Sequence, residues 1–150
     1  MNPPLRSKED QNAVLNGLLD GTIEMICTDN APHSAEEKDC AFDKAAMGIV
    51  SIEAAFPLVY TKLVKTGKLT LEKAIELMST NAAKFFEIPG GSIEENELAN
   101  ICIYKLDEEW TIDSNKFASI GKSCPFDGQK VFGKCKMTIC NGEIVYREMD

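Results

Sequence analysis

The feature that most constrains the fold of this chain is a change of sequence texture near residue 90. Before Gly90-Gly91, apolar residues recur at three- and four-residue spacing, which is typical of amphipathic helices. After it, apolar and polar residues alternate, and Asn141-Gly142 joins two alternating runs. That dipeptide is a strong short-range signal for a β-hairpin. We therefore predict an α/β fold in which residues 1–90 and 91–150 form different parts.

Three helices are predicted in the first part, by their caps and their apolar spacing. They cover residues 8 to about 19 after the N-cap Ser7 and before Gly21, residues 48 to about 65, and a segment after the N-cap Thr70. Pro57 marks a start or a kink in the second helix. The later run "STNAAKFFEIPGG" is interpreted as a cap, a short helical turn and a stop.

Two strands are predicted besides the hairpin. The run "TIEMICTD", residues 22–29, is short and rich in apolar and β-branched residues, which indicates a buried strand. The run "ANICIYKL" alternates, with Ile101, Ile103 and Leu106 predicted to face one side. Helices around a buried strand favour an α/β domain, where ligands bind beyond the carboxyl ends of the strands.

Charge and composition exclude some classes of protein. The 150 residues carry 16 basic and 24 acidic side chains, a net charge of −8, whereas binding nucleic acid needs clustered basic residues. No apolar run approaches the roughly 20 residues that span a bilayer. The start "MNPPLRSKED" lacks the apolar core of a signal peptide. We therefore predict a cytoplasmic protein with no nucleic-acid and no membrane partner.

The six cysteines indicate reduced thiols. None of them forms a Cys-x-x-Cys pair, and no histidine lies near the closest two, Cys135 and Cys140. Structural zinc sites need about four ligands at tight spacing. Ordinary cytoplasmic thiols are therefore favoured over a structural zinc site.

The run "TDNAPHS", residues 28–34, contains the only histidine of the chain. Asp29 stands at the carboxyl end of the predicted strand, where a carboxylate can act as a general acid and base or bind a metal. His33, four residues later, can donate hydrogen bonds to an anionic substrate. The other interpretation is that Asp29 caps the loop and His33 is solvated. Position alone favours this second interpretation, because acids are common in turns.

A resemblance to a known family extends over essentially the whole chain. The segments "NPPLR", "LLDGTIEMICTDNAPHS", "MGIVSIEAAFPLVYTKLV", "KLTLEKAIELMSTNAAKFF" and "MTICNGEIVY" resemble, in order, the C-terminal part of bacterial dihydroorotases of the longer type, in the amidohydrolase superfamily. The resemblance implies that residues 1–90 are the C-terminal strands and helices of a metal-dependent (β/α)8 TIM barrel. It implies that residues 91–150 are the C-terminal part of a small β-sandwich domain.

The resemblance also implies a reaction and a site. The reaction is the reversible cyclisation of the small molecule N-carbamoyl-L-aspartate to dihydroorotate in pyrimidine synthesis, at a centre of two zinc ions. By position, Asp29 matches a metal ligand that is also the general acid and base. The residues that match substrate contacts are Asn2, His33, Met47 and Gly48. Asn30 stands where the family pattern T-D-H-A-P-H has a histidine. This difference bears on how Asp29 is adjusted for proton transfer more than on whether it binds metal.

Length and ligand count lead to a further prediction. A TIM barrel needs about 250 residues, and even one catalytic zinc takes about three protein ligands. We therefore expect a C-terminal fragment that is inactive when isolated and needs an N-terminal half or another chain. A homodimer is a further arrangement left open. The alternatives are a related cyclic-amide hydrolase (dihydropyrimidinase, hydantoinase or allantoinase) and a non-catalytic dihydroorotase-like assembly partner.

Overall fold

The computed structural model of the protein describes residues 2–89 and 91–148. Its elements are α1 (Lys8–Asp20), α2 (Ala35–Lys38), α3 (Ala55–Val59), α4 (Leu71–Ile75), α5 (Asn81–Phe85), β1 (Ile101–Thr111), β2 (Lys130–Cys140) and β3 (Glu143–Arg147). Two 3-10 turns, Ile52–Ala54 and Ser114–Lys116, and two π-helical turns, Tyr60–Val64 and Glu76–Thr80, complete them. The helical segments therefore run over residues 52–64 and 71–85. Within the described residues, no helix is long and apolar enough to cross a membrane.

Two compact units make up the chain. The first comprises the chain up to Ile23, Cys27–Phe56 and Thr111–Lys130, and the second comprises Glu24–Ile26, Pro57–Trp110 and the chain from Val131. Among the described residues, the buried side chains of the first unit include Leu18, Val50, Ala54, Ile112 and Phe117, and those of the second include Pro57, Leu69, Ala74, Leu77 and Val131. The assignment of residues 1–90 to a barrel and 91–150 to a β domain stays a prediction.

The cap signals in the sequence are confirmed at α1. Ser7 accepts a hydrogen bond from the Asp10 N–H, and the Asp10 carboxylate accepts from the Ser7 N–H, which together form a capping box. The helix ends at Gly21, whose φ of 86° is left-handed and favours glycine. These contacts are local, which is why the sequence predicts both ends of this helix.

The two later helical segments are confirmed with corrections. The first begins at Ile52, not at Gly48, and Pro57 lies inside it as the third residue of α3, directly after the 3-10 turn. Thr70 caps α4 as predicted, accepting from the Lys73 N–H at 3.1 Å. The predicted cap in "STNAAKFFEIPGG" is wrong, because Thr80 has helical dihedrals and its side chain makes no capping hydrogen bond.

The predicted strand over residues 22–29 is wrong. Residues 22 and 23 form a bend, residues 24–29 have no regular secondary structure, and all eight residues are half-buried or exposed. The Ile26 N–H donates to the Leu77 carbonyl at 2.8 Å, in a helical segment. A strand needs a neighbouring strand for its hydrogen bonds, and the sheet formed within residues 2–89 and 91–148 contains only β1, β2 and β3.

The sheet has the order β1-β2-β3. The predicted hairpin is confirmed: β2 and β3 are antiparallel, Cys140 pairs with Glu143, and Asn141 and Gly142 between them have φ values of 52° and 82°. The predicted facing of β1 is wrong at Ile103, which is 44% exposed, whereas Ile101 and Leu106 are both half-buried. Tyr104 is half-buried as well, and burial raises the pKa of its hydroxyl to about 12.

Candidate active-site loop

Asp29 lies exposed in a strained backbone conformation. Its φ is 43°, in the left-handed region, and such a conformation costs of order 1–3 kcal/mol for a residue other than glycine. Its side chain has no hydrogen-bond or ion-pair partner among residues 2–89 and 91–148. The carboxylate is therefore not turned into the packed interior, and its oxygens are open to a substrate or a metal.

The residues on either side of Asp29 are held by the start of the helical segment at Ile52. The Asn30 side-chain oxygen accepts from the N–H groups of Ser51 at 2.9 Å and Ile52 at 3.2 Å. The Ser51 hydroxyl donates to the Thr28 carbonyl at 3.3 Å. Ser51 makes no cap with its own side chain, so Asn30 supplies the cap from a distant loop. Asn30 thus anchors the strained turn at Asp29.

Replacement of Asn30 by alanine is expected to lower the free energy of unfolding by about 1 kcal/mol, the usual cost of a lost helix cap. Asn30→Asp keeps the acceptor oxygen and should retain most of that stability. The measurements are thermal unfolding and the amide hydrogen exchange of Ser51 and Ile52, with exposed Asn12→Ala as the control. Unchanged exchange at both amides in Asn30→Ala would contradict the capping role.

His33 is oriented by both of its ring nitrogens. Nε2 lies 3.0 Å from the Met47 carbonyl and Nδ1 lies 3.4 Å from a Glu37 carboxylate oxygen. Ser34 caps α2 and forms a capping box with Glu37, which places that carboxylate beside the ring. The hydrogen bond from the Ser34 N–H lowers the pKa of Glu37, so its negative charge is kept opposite the imidazole.

Gly48 allows the loop at Met47 to pack directly on this segment. Its φ is 147°, and a Cβ atom there would lie 2.5 Å from the Ala31 carbonyl oxygen and 2.9 Å from His33 Cδ2. The Ala31 N–H also donates to the Ile49 carbonyl at 3.0 Å. Only glycine fits such an approach, so the structure brings His33, Met47 and Gly48 together, while their role as substrate contacts stays a prediction.

A cleft of about 400 Å³ opens beside His33. Its lining residues are His33, Ser34, Ala35, Lys38, Asp39, Ile120, Lys122 and Ser123. The ammonium groups of both lysines donate to backbone carbonyls, Lys38 to those of Ala46 and Gly48 and Lys122 to that of Phe117 at 2.6 Å. Gly121 allows the 120–123 segment to come this close, because a Cβ there would lie 2.6 Å from the His33 carbonyl oxygen.

Sequence reasoning missed three of these residues, Asn30 as a cap, Lys38 and Gly121. Glycine between apolar and polar neighbours was a signal for Gly121, but it also fits an ordinary turn. Asn2 is exposed and does not line the cleft. Its assignment to substrate binding stays a prediction.

The residues of this chain do not by themselves fit a metal pair. Within the part of the chain that the structure describes, no three His, Cys, Asp or Glu side chains are grouped so that they could hold a metal ion. Asp29 offers one carboxylate, while the His33 nitrogens face protein acceptors. One or two donors fall short of the roughly three ligands of a catalytic zinc.

Comparison with known proteins gives the class. The family model described as "Amidohydrolase family" matches residues 2–145, and the chain belongs to that family. Among its relatives is a dihydroorotase from Fusobacterium nucleatum, 50% identical over 97% of this chain and 34% of that protein. A dihydroorotase from Listeria innocua is 51% identical over 99% of this chain and 35% of that protein. The chain spans about a third of the length of these relatives.

Solved hydantoinase structures confirm the predicted fold class. The D-hydantoinase (dihydropyrimidinase) from a Thermus species has a TM-score of 0.87 and 30% identity, covering 98% of this chain and 33% of its own. The L-hydantoinase (dihydropyrimidinase) from Arthrobacter aurescens has a TM-score of 0.88 and 31% identity, covering 99% and 34%. The α/β fold with a small antiparallel sheet is thus an amidohydrolase fold. Membership of this family suggests a metal cofactor.

Proposed function

We propose that the complete protein is a dihydroorotase, which reversibly cyclises N-carbamoyl-L-aspartate to dihydroorotate in de novo pyrimidine synthesis, leading to UMP. The observation that carries this proposal is 50–51% identity to dihydroorotases over nearly all of the chain. A cytoplasmic location is part of the proposal, and it is supported by six free cysteines.

Asp29 is the proposed general acid and base. In the hydrolytic direction, the water oxygen bonds to the ring carbonyl carbon and the bond from that carbon to the ring nitrogen breaks. The Asp29 carboxylate takes a proton from the water and returns it to the departing nitrogen, so that atoms and charges balance. Support comes from the exposure of this side chain and from the contacts that hold its neighbours Thr28 and Asn30.

Zinc is the proposed metal, and Asp29 is its one proposed ligand in this chain. We propose that the other ligands come from the part of the relatives' length that this chain does not span, on the same polypeptide or another one. When bound, such a metal supplies polarisation of the substrate carbonyl and an acidified water.

Sequence identity supports dihydroorotase over other cyclic-amide hydrolases. Dihydroorotases are 50–51% identical to this chain. Hydantoinase or dihydropyrimidinase activity is the second candidate, because solved structures with those names reach a TM-score of 0.88. Their identity to this chain, 31% for the same structure, is lower than that of the dihydroorotases. The open Asp29 carboxylate argues against a purely structural assembly partner.

A chimaera tests the proposal. It is the Listeria innocua dihydroorotase in which the third that matches this chain is replaced by this chain. We expect turnover of dihydroorotate at rates well above those for hydantoin and allantoin. Preferred hydrolysis of hydantoin would favour the second candidate. A folded chimaera that turns over none of the three would favour the non-catalytic assembly partner.

A further inference from the structure

The Lys38 ammonium hydrogen-bonds to the backbone of the loop that contacts His33. Its ammonium donates to the Ala46 carbonyl at 2.6 Å and to the Gly48 carbonyl at 2.5 Å. Acidic residues flank it on both sides in the sequence, at Glu37 and Asp39. Lys38 nevertheless makes no ion pair within the described residues. The charge of this half-buried lysine is therefore directed at two carbonyls of one loop.

His33 holds the carbonyl between those two. With Nε2 of His33 at 3.0 Å from the Met47 oxygen, three successive carbonyls, at 46, 47 and 48, are each held by a side chain of the 33–38 segment. In a planar trans peptide the N–H points opposite to the C=O. The N–H groups of residues 47, 48 and 49 therefore face away from His33 and Lys38. None of the three donates to a protein acceptor within residues 2–89 and 91–148.

We propose that Lys38 is a positioning residue that sets recognition of the substrate carboxylate. By fixing the carbonyls on either side of Met47, it aims the successive backbone N–H groups of the loop at an anion, and such rows of N–H groups bind anions well. This inference rests on the proposed function, which assigns Met47 and Gly48 to substrate. Lys38 acts through the loop and does not touch the reacting atoms.

The test uses the chimaera with Lys38→Met, which keeps the length of the side chain and removes its charge. Orotate carries a carboxylate on a ring amide, and hydantoin is a ring amide without one. We expect the affinity for orotate, measured by calorimetry, to fall at least about 10-fold, as loss of charged hydrogen bonds implies. KM for dihydroorotate should rise by a similar factor, and kcat should be nearly unchanged, because the same binding energy is lost in the ground state and in the transition state. Inhibition by hydantoin should not change.

Two further variants separate positioning from general destabilisation. Lys38→Arg can still donate to both carbonyls and should restore most of the orotate affinity. Lys44→Met removes an exposed lysine of the same loop, which pairs with Asp43 at 3.6 Å, and should match the unmutated chimaera. A merely destabilised protein would instead show a lower kcat with KM unchanged, because fewer molecules would be active.

Turnover of dihydroorotate tests the proposed function, whereas orotate affinity tests the role of Lys38. Failure of one can therefore be told apart from failure of the other. The inference is overturned if Lys38→Met leaves orotate affinity unchanged, if hydantoin inhibition weakens equally, or if the unmutated chimaera binds no orotate. A chimaera that binds orotate, loses that binding in Lys38→Met and yet turns over no dihydroorotate would overturn only the proposed function.

Discussion

Replacement of Asp29 by asparagine in the chimaera is expected to lower kcat for dihydroorotate by at least about 10³-fold, within the range for loss of a general acid and base. The amide keeps the size of the side chain but cannot shuttle a proton, and it is a poorer metal ligand than a carboxylate. The left-handed turn at Asp29 should persist, because asparagine tolerates that conformation as well as aspartate does. Steady-state kinetics measures the effect.

The matched control for this variant is Asp43→Asn. Asp43 is an exposed aspartate of the following loop, paired only with Lys44 among the described residues. Its replacement should leave kcat and KM within about twofold of the starting chimaera, as for an exposed ion pair of little energetic weight. An Asp29→Asn chimaera with the same kcat as Asp43→Asn would remove Asp29 from catalysis.

Gly48→Ala is expected to lower kcat/KM by about 10- to 100-fold, because backbone strain and displacement of the loop together cost of order 1–3 kcal/mol. The added Cβ would lie 2.5 Å from the Ala31 carbonyl oxygen. Because that oxygen belongs to the backbone, it cannot move aside as the end of a flexible side chain can. The loop would have to move away from His33, which separates the groups proposed to bind substrate. Kinetics on the chimaera and its thermal unfolding measure both consequences.

Gly67→Ala separates strain from collision. Gly67 has a φ of 72°, yet a Cβ there would meet nothing within 4 Å. This variant should lose about 1 kcal/mol of stability, as expected for alanine in a left-handed turn, and keep its kcat/KM. If Gly48→Ala also keeps its kcat/KM, as expected for Gly67→Ala, then activity does not depend on the close approach of the 47–48 loop to His33.

Local rules explain which parts of the fold the sequence predicts. The capping box at Ser7, the cap at Thr70 and the turn at Asn141-Gly142 each depend on a few neighbouring residues. The strand over residues 22–29 depends on a partner strand instead, and its apolar pattern cannot say whether one lies beside it. The side that β1 buries likewise depends on what packs against it.

The candidate site likewise contains residues that the sequence predicts and residues whose contacts depend on tertiary structure. Resemblance points to Asp29 and His33, because they stand in a motif. The cap by Asn30 joins residues 21 and 22 positions apart, and the two bonds of Lys38 need the 46–48 loop to fold back on α2. Nothing in the sequence near either residue signals these contacts, since they arise from tertiary approach.

The most direct measurement is the zinc content of the isolated 150-residue chain and of the chimaera, determined side by side by elemental mass spectrometry after exhaustive dialysis. The central claim is that Asp29 is one ligand of a metal centre that this chain does not complete. It predicts far less than one zinc per isolated chain, no turnover of dihydroorotate by that chain, and a tightly held zinc pair in the chimaera that is depleted by Asp29→Ala. Two tightly held zinc ions in each isolated chain, or full zinc retention in the Asp29→Ala chimaera, would contradict it.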